Sequence, residues 1–277
     1  MGSLGTALAQ RLSEAGYEVS KINSRGSRHP SRLIADVIWF CVPDAEVLTV
    51  VRSFSKAEWN GKFAFHSSGV LTSEVIASFL RREGARVASV HPLMTFVKGS
   101  VPQLRGVPFA IEGDPSAVRA AQQITHELGG RAVGIRKQDK VAYHAFATMI
   151  CPLLVSLLAA SEKAAALAGL AKAEARRRMM PIIQQTLRNY EKLGPAGAFS
   201  GPIVRGDVET VRAHLEALSK APAAKTAYCA LAKAALEYLP SKNKEEIRDQ
   251  LGEFTSGKIR RNVKRTDRAS RHSTLQS

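Results

Sequence analysis

The chain changes character once, near residue 139. Upstream, short apolar runs alternate with segments of helical period; downstream only the helical period remains. Strands that alternate with helices build a parallel α/β layer, whereas helices alone must bury their apolar stripes against one another. The sequence therefore predicts an α/β domain over residues 1–138, an all-α domain over 139–240 and a basic tail without fixed structure over 241–277. At 277 residues and 45% apolar content, the chain is long enough for two buried cores.

The α/β part opens on a glycine turn. Gly2 and Gly5 stand where the second and third glycines of a G-x-G-x-x-G loop would stand, and they run into an amphipathic segment, Thr6 to Ala15. Leu8, Leu12 and Ala15 share one face of it; Gly16 closes it, and Tyr17 to Ile22 reads as a strand. A glycine turn, a helix and a following strand form the middle of a dinucleotide-binding βαβ unit. Free N–H groups and the helix dipole favour phosphate at such a helix start. Gly2, Ser3, Leu4 and Gly5 are the candidate turn. No strand precedes Gly2, so the first, central strand of that unit is expected to be missing from the chain as written.

The loop after a second strand chooses between dinucleotides: a carboxylate there suits the ribose hydroxyl of NAD, an arginine the extra phosphate of NADP. Ser24, Arg25 and Arg28 occupy that interval without a carboxylate, which favours NADP over NAD, although an arginine-rich surface turn reads equally well. Asp36 to Val42 is an apolar strand that ends at Val42-Pro43-Asp44, a carboxyl edge of the kind where open sheets bind ligands. Ala45 to Phe54 follows as a helix, then Lys62 to His66 as a strand that opens into Ser67-Ser68-Gly69. Ser68 and Gly69 are candidates to hold a carboxylate or the nicotinamide side of a cofactor. The competing reading is a helix start, with Thr72 or Ser73 capping Glu74 to Arg81. Arg86 to Val90 is another strand, and His91 at its end either meets a substrate oxygen or holds its own loop. Strands at Val107 to Glu112 and Arg131 to Ile135 flank a helix from Pro115 to Leu128.

Charge and cysteine usage remove several classes of function. The formal charge is +16, but Lys258, Arg260, Arg261, Lys264, Arg265, Arg268 and Arg271 crowd the tail without interleaved aromatics, which fits a solvated tail better than a nucleic-acid surface. Cys41, Cys151 and Cys229 form no metal or disulfide spacing, and the start carries no secretory pattern, so a cytoplasmic protein is expected. The longest apolar stretch, Ala145 to Ala160, is broken by Pro152 and reads as a buried helix rather than a membrane span.

In the helical part, Lys140, Tyr143 and His144 share one helix face by their i, i+3 and i+4 spacing. Pro152 must bend or restart that helix. Arg205 and Asp207 sit in a Gly- and Pro-rich interruption between helices, as a site loop or as a local salt bridge.

These motifs together, Gly2-Ser-Leu-Gly5, Val42-Pro-Asp44, His66-Ser-Ser-Gly69, His91-Pro-Leu-Met-Thr-Phe96, Lys140-Val-Ala-Tyr-His144 and Ser200-Gly-Pro-Ile-Val-Arg-Gly-Asp207, resemble a family of NADP-dependent oxidoreductases. That family pairs a Rossmann-like N-terminal domain with a C-terminal helical domain of unknown function. The layout is more distantly similar to pyrroline-carboxylate reductases, 6-phosphogluconate-type hydroxyacid dehydrogenases and prephenate dehydrogenases. The resemblance implies NADP across the sheet edge and a homodimer formed through the helical domain. It also implies Lys140 and His144 as catalytic groups. Ser68, Gly69, His91, Tyr143, Arg205 and Asp207 are then candidates for the substrate side. The expected reaction is reduction of a C=O or C=N bond, or oxidation of the corresponding alcohol, in a small acidic substrate. A non-catalytic NADP sensor and a truncated product unable to bind cofactor are the alternatives.

Overall fold

A computed structural model of the chain describes residues 2–21, 33–54 and 57–253. Its contacts divide into two compact units, Met1–Leu154 and Val155–Ser277.

The first unit is an α/β layer of five strands, β1 (Val37–Phe40), β2 (Phe63–His66), β3 (Arg86–Pro92), β4 (Pro108–Gly113) and β5 (Arg131–Gly134), in the order β1-β2-β3-β4-β5. Five helices accompany them: α1 (Ser3–Glu14), α2 (Asp44–Ser53), α3 (Glu74–Leu80), α4 (Pro115–Glu127) and α5 (Lys140–Ile150). The sheet is parallel except between β3 and β4. The exception has a chain-level cause. A parallel neighbour needs a crossover element, and the link from Leu93 to Val107 contains no helix. The link carrying α4 restores the parallel direction for β5.

The period-2 alternation of the strands splits their side chains between two cores. On one face Phe40, Ala64 and Val87 pack with Val47 and Val51 of α2, Ile76 and Leu80 of α3, and Trp59. On the other, Phe65, Ala88, Val90, Phe109 and Ile111 pack with Leu8 of α1 and Ala117, Ala121 and Ile124 of α4. Each fully buried large side chain contributes roughly 1.5–3 kcal/mol. The Rossmann-like α/β arrangement is therefore as the sequence predicts.

One predicted strand does not form. Residues 17–21 are extended but join no ladder, and Ile22 lies outside the described residues. A strand exists by pairing, and no described strand runs beside this segment. Tyr17 instead returns its backbone N–H to the Leu12 carbonyl at 3.0 Å and packs against the second core.

The second unit is helical: α6 (Pro152–Leu167), α7 (Lys172–Ala198), α8 (Pro202–Arg205), α9 (Val208–Ala217), α10 (Pro222–Tyr238) and α11 (Lys244–Glu253). Pro152 stops α5 and starts α6, with Cys151 between them in non-helical geometry (φ −121°, ψ −84°). Val211 and Leu215 of α9, Cys229, Ala232 and Leu236 of α10, and Ile247 and Leu251 of α11 form its core. Ordered structure thus continues past residue 240, because Ile247 and Leu251, four apart, give α11 an apolar stripe to bury. The basic cluster from Lys258 onward lies outside the described residues.

The apolar stretch around Pro152 is not a buried helix. The helical run Lys137–Leu167 has a window of mean hydropathy 1.8, long and apolar enough by composition to cross a membrane, and none of that window is buried among the described residues. Phe146, Met149, Leu153 and Val155 are exposed. Periodicity shows that a segment is apolar, not what covers it.

Candidate active site at the carboxyl ends of strands two and three

β2 and β3 run parallel with His66 beside Ser89, so both chains turn at the same sheet edge. Parallel pairing brings the loop after β2, Ser67-Ser68-Gly69, next to the end of β3, where His91 stands. The first turn of α5 supplies Lys140, Tyr143 and His144 to the same place.

Lys140 is 1% exposed. Its Nζ donates to Ser89 Oγ at 2.7 Å and to the Ser68 carbonyl at 3.1 Å. Burial draws its pKa below the ordinary lysine range, while the carboxylates of Glu112 and Asp44 act in the opposite direction. An ammonium so enclosed meets protein atoms rather than a ligand.

The half-buried groups are His91, Tyr143 and His144. The His91 ring lies 5.9 Å from that of His144 and 6.4 Å from that of Tyr143, edge-on to both. Gly69 makes room for them: a Cβ there would lie 2.3 Å from His144 Cδ2 and 2.9 Å from His91 Nε2. His91 Nδ1 is buried and has no hydrogen-bond partner. A histidine whose task was to hold its own loop would have found one. Burial, and then the nearby Lys140 and His144, lower the His91 pKa to about 4, so the ring is neutral at physiological pH.

His66 lies fully buried beneath these groups. The Ser68 N–H donates to its Nδ1 at 3.2 Å, which leaves the ring proton on Nε2 to be donated to the Thr72 carbonyl at 3.1 Å. Burial, followed by Lys140, takes its pKa down to about 4. Both serines of the loop are also engaged. Trp39 Nε1 donates to Ser67 Oγ at 2.7 Å, and Ser68 Oγ accepts from the N–H groups of Val70 and Leu71. The hydroxyl proton of Ser68 remains as a donor. Cys41, at the end of β1, is no nucleophile: burial pushes its thiol up to about 12, against the pull of a hydrogen bond with Ser67.

The proposed capping of α3 by Thr72 or Ser73 is not found, since no side chain caps that helix. Ser73 Oγ donates to Glu112 Oε2 at 2.7 Å, and its N–H donates to Oε1 at 2.6 Å. A buried carboxylate without donors costs more than an uncapped helix start, so it takes them.

The structure therefore brings Ser68, Gly69, His91, Lys140, Tyr143 and His144 together. Gly2 is the extended N-cap of α1 (φ −73°, ψ 171°), and no side chain caps the helix that begins at Ser3, Leu4 and Gly5. Val42 and Pro43 link β1 to α2 at the carboxyl edge of the sheet. Ser24, Arg25 and Arg28 lie outside the described residues. In the second unit Asp207 caps α9, accepting from the Thr210 N–H at 3.1 Å and its hydroxyl at 2.7 Å; Arg205 is exposed. Sequence reasoning missed Ser89 and Glu112. The available signal was a polar residue inside an otherwise apolar strand, in Val87-Ala-Ser-Val90 and in Phe109-Ala-Ile-Glu112.

Fold and site define the class: a Rossmann-like α/β unit followed by a helical unit, with a polar cluster at the sheet's carboxyl edge. A family model described as a domain of unknown function, DUF2520, matches residues 107–235. No curated protein matches the sequence. Among solved structures, the chain is similar to a Bacteroides fragilis protein described as a "putative NADP oxidoreductase" (19% identity, TM-score 0.72, covering 84% of this chain and 94% of that one). It is also similar to protein TM1727 from Thermotoga maritima (24% identity, TM-score 0.60, 76% and 79% covered). A third is a reductive aminase from Aspergillus terreus in complex with NADPH and ethyl-5-oxohexanoate (12% identity, TM-score 0.57, 89% and 95% covered). At these identities the likeness establishes the shared fold.

Proposed function

We propose that this chain is an NADP-dependent oxidoreductase that reduces a C=O or C=N bond in a small acidic substrate. The carrying observation is the convergence of two half-buried imidazoles, His91 and His144, with Tyr143 over Gly69 at the carboxyl edge of the sheet. Open α/β sheets bind their ligands at that edge, and two of the three solved structures named above, the Bacteroides fragilis protein and the Aspergillus terreus reductive aminase, are described with NADP or NADPH.

The residues present fit the cofactor. The uncapped start of α1 at Gly2, Ser3, Leu4 and Gly5 offers N–H groups to a pyrophosphate. The link at Val42 and Pro43, the hydroxyl proton of Ser68 and the partnerless Nδ1 of His91 offer polar atoms at the sheet edge. Ser24, Arg25 and Arg28 suit the 2′-phosphate in kind. When bound, NADPH supplies the hydride. The chain's own part is to orient the acceptor and deliver a proton to its oxygen or nitrogen. His144, half-buried beside His91, is the proposed proton donor, a reading supported by its closeness to His91 and Tyr143. Lys140, shut in beneath, serves better to fix the Ser68 carbonyl than to touch substrate.

The test is a fluorescence titration with NADPH and NADH, followed by a panel of keto acids and imines. Tighter binding of NADPH is expected. His144→Gln should retain that binding and lose about 10²–10⁴-fold in turnover. Retained turnover, or no cofactor binding, would sink the proposal. Binding without turnover of any panel member would favour the sensor.

We further infer a homodimer built on the helical unit. α7 leaves Met180, Ile182, Leu187, Tyr190 and Leu193 exposed, and an open apolar cavity of about 250 Å³ lies among Leu157, Phe199, Ile203 and Leu231. A second copy would cover such a surface. Detergent-free protein should then sediment at twice 30.0 kDa. A requirement for detergent would instead favour a membrane. A reducing compartment, the cytoplasm, suits Cys41, Cys151 and Cys229, all free.

A further inference from the structure

Behind the half-buried imidazoles lies a second polar layer. In the antiparallel ladder of β3 and β4, Ser89 stands opposite Glu112. Residues directly opposed in a ladder project to the same face. Ser89 Oγ accepts from Lys140 Nζ, and the Glu112 carboxylate accepts from both donors of Ser73. Glu112 is 6% exposed and Lys140 1%. Two buried groups of opposite charge thus meet at one cross-strand pair: Glu112 belongs to it, and Lys140 donates to its Ser89.

A lone buried ammonium gives up its proton rather than bear the cost of leaving water. A nearby carboxylate can hold the proton in place, provided its remaining lone pairs find donors. Ser73 provides those donors. Lys140 is influenced by Glu112 from β4 and Asp44 from α2, while its charge acts on His66 from β2 and His91 from β3, with His144 on its own helix. Asp44 is the more exposed of the two carboxylates, and water screens it more.

We propose that Glu112 is a positioning residue: it holds Lys140 as an ammonium at the sheet edge, and through Lys140 fixes the Ser68 carbonyl. Glu112 acts at one remove, through a lysine that itself stays behind the reacting groups. A neutral His91 can accept a hydrogen bond as well as donate one. Any consequence for turnover rests on the reductase reading; the charge state of Lys140 does not.

The experiment follows the Lys140 Nζ resonance through a pH titration in full-length protein labelled with ¹⁵N-lysine, using Lys140→Met to assign it. In Glu112→Gln, Lys140 should lose its proton at lower pH than in the wild type. Glu112→Asp should restore most of the difference. Where Lys140 is neutral, the His91 ring should titrate above its value of about 4. An unchanged Lys140 titration in Glu112→Gln overturns the proposal whether or not the protein turns over any substrate. If Glu112→Gln is too unstable for the titration, thermal unfolding of Glu112→Gln, Lys140→Met and the double variant decides. A coupled pair makes the double variant more stable than the sum of its singles, because neither charge is left alone. Additive losses overturn the proposal. In an active preparation, Glu112→Gln should shift the pH profile of turnover and leave NADPH affinity unchanged, while an unmoved profile refutes the link to catalysis.

Discussion

Acid should loosen the α/β unit through two histidines, and the size of the effect follows from their surroundings. His66 and His91 each have a pKa lowered from 6.5 to about 4 in the folded chain, by burial and then by Lys140. The unfolded chain binds these protons near pH 6.5, and the folded chain resists them until about pH 4. The stabilisation is therefore complete above pH 6.5 and is lost as pH falls from 6.5 through 4, levelling off below. A drop from 6.5 to about 4 corresponds to roughly 3 kcal/mol per histidine, and to roughly 6 kcal/mol for both if they act independently. That is a large share of a domain's usual 5–15 kcal/mol. Urea unfolding followed by tryptophan fluorescence reports this unit selectively, since both tryptophans, Trp39 and Trp59, lie in it. Between pH 6.5 and 4.5 the wild type should lose about 2–3 kcal/mol for each histidine. His66→Asn retains an acceptor for the Ser68 N–H and removes one titrating ring. It should start less stable at pH 7.5 but fall less steeply, by about 2–3 kcal/mol over the same interval. An acid slope equal to the wild type's would refute the assignment of a buried, neutral His66.

Two further perturbations address the helical unit. Asp207→Ala removes both hydrogen bonds that Thr210 donates at the start of α9 and should cost about 1 kcal/mol in thermal unfolding, with Asp207→Asn largely spared; an alanine variant as stable as the wild type would show that the cap bears no load. Ile182→Asp places a charge on the exposed apolar stripe of α7 and should leave a 30.0 kDa monomer in place of the proposed dimer by sedimentation equilibrium. A variant that remains dimeric would put the contact elsewhere.

Several features were legible in the residues because their causes are local. The switch from strand alternation to pure helix at residue 139, the break at Pro152 and the turn residues at Gly16 and Gly129 follow from backbone stereochemistry and short-range periodicity. The grouping of Lys140, Tyr143 and His144 follows from helix geometry. Their meeting with Ser68, Gly69 and His91 follows from parallel strands that turn at one edge.

Other features depend on partners distant in sequence. The extended segment 17–21 has strand composition but no pairing neighbour among the described residues, and the apolar run around Pro152 has the hydrophobicity of a core helix but stays exposed among the described residues. The direction of β4 was settled by a link without a helix. Ser73 looked like a cap until Glu112, 39 residues on, claimed its donors. Lys140 is the clearest case. By itself the sequence determined that Lys140 would share one helix face with Tyr143 and His144. Only the tertiary structure decided that Ser89 and the Ser68 carbonyl would receive it 1% exposed, near Glu112. Periodicity sets the direction of a side chain, but burial and charge environment are sums over groups that the fold alone brings together.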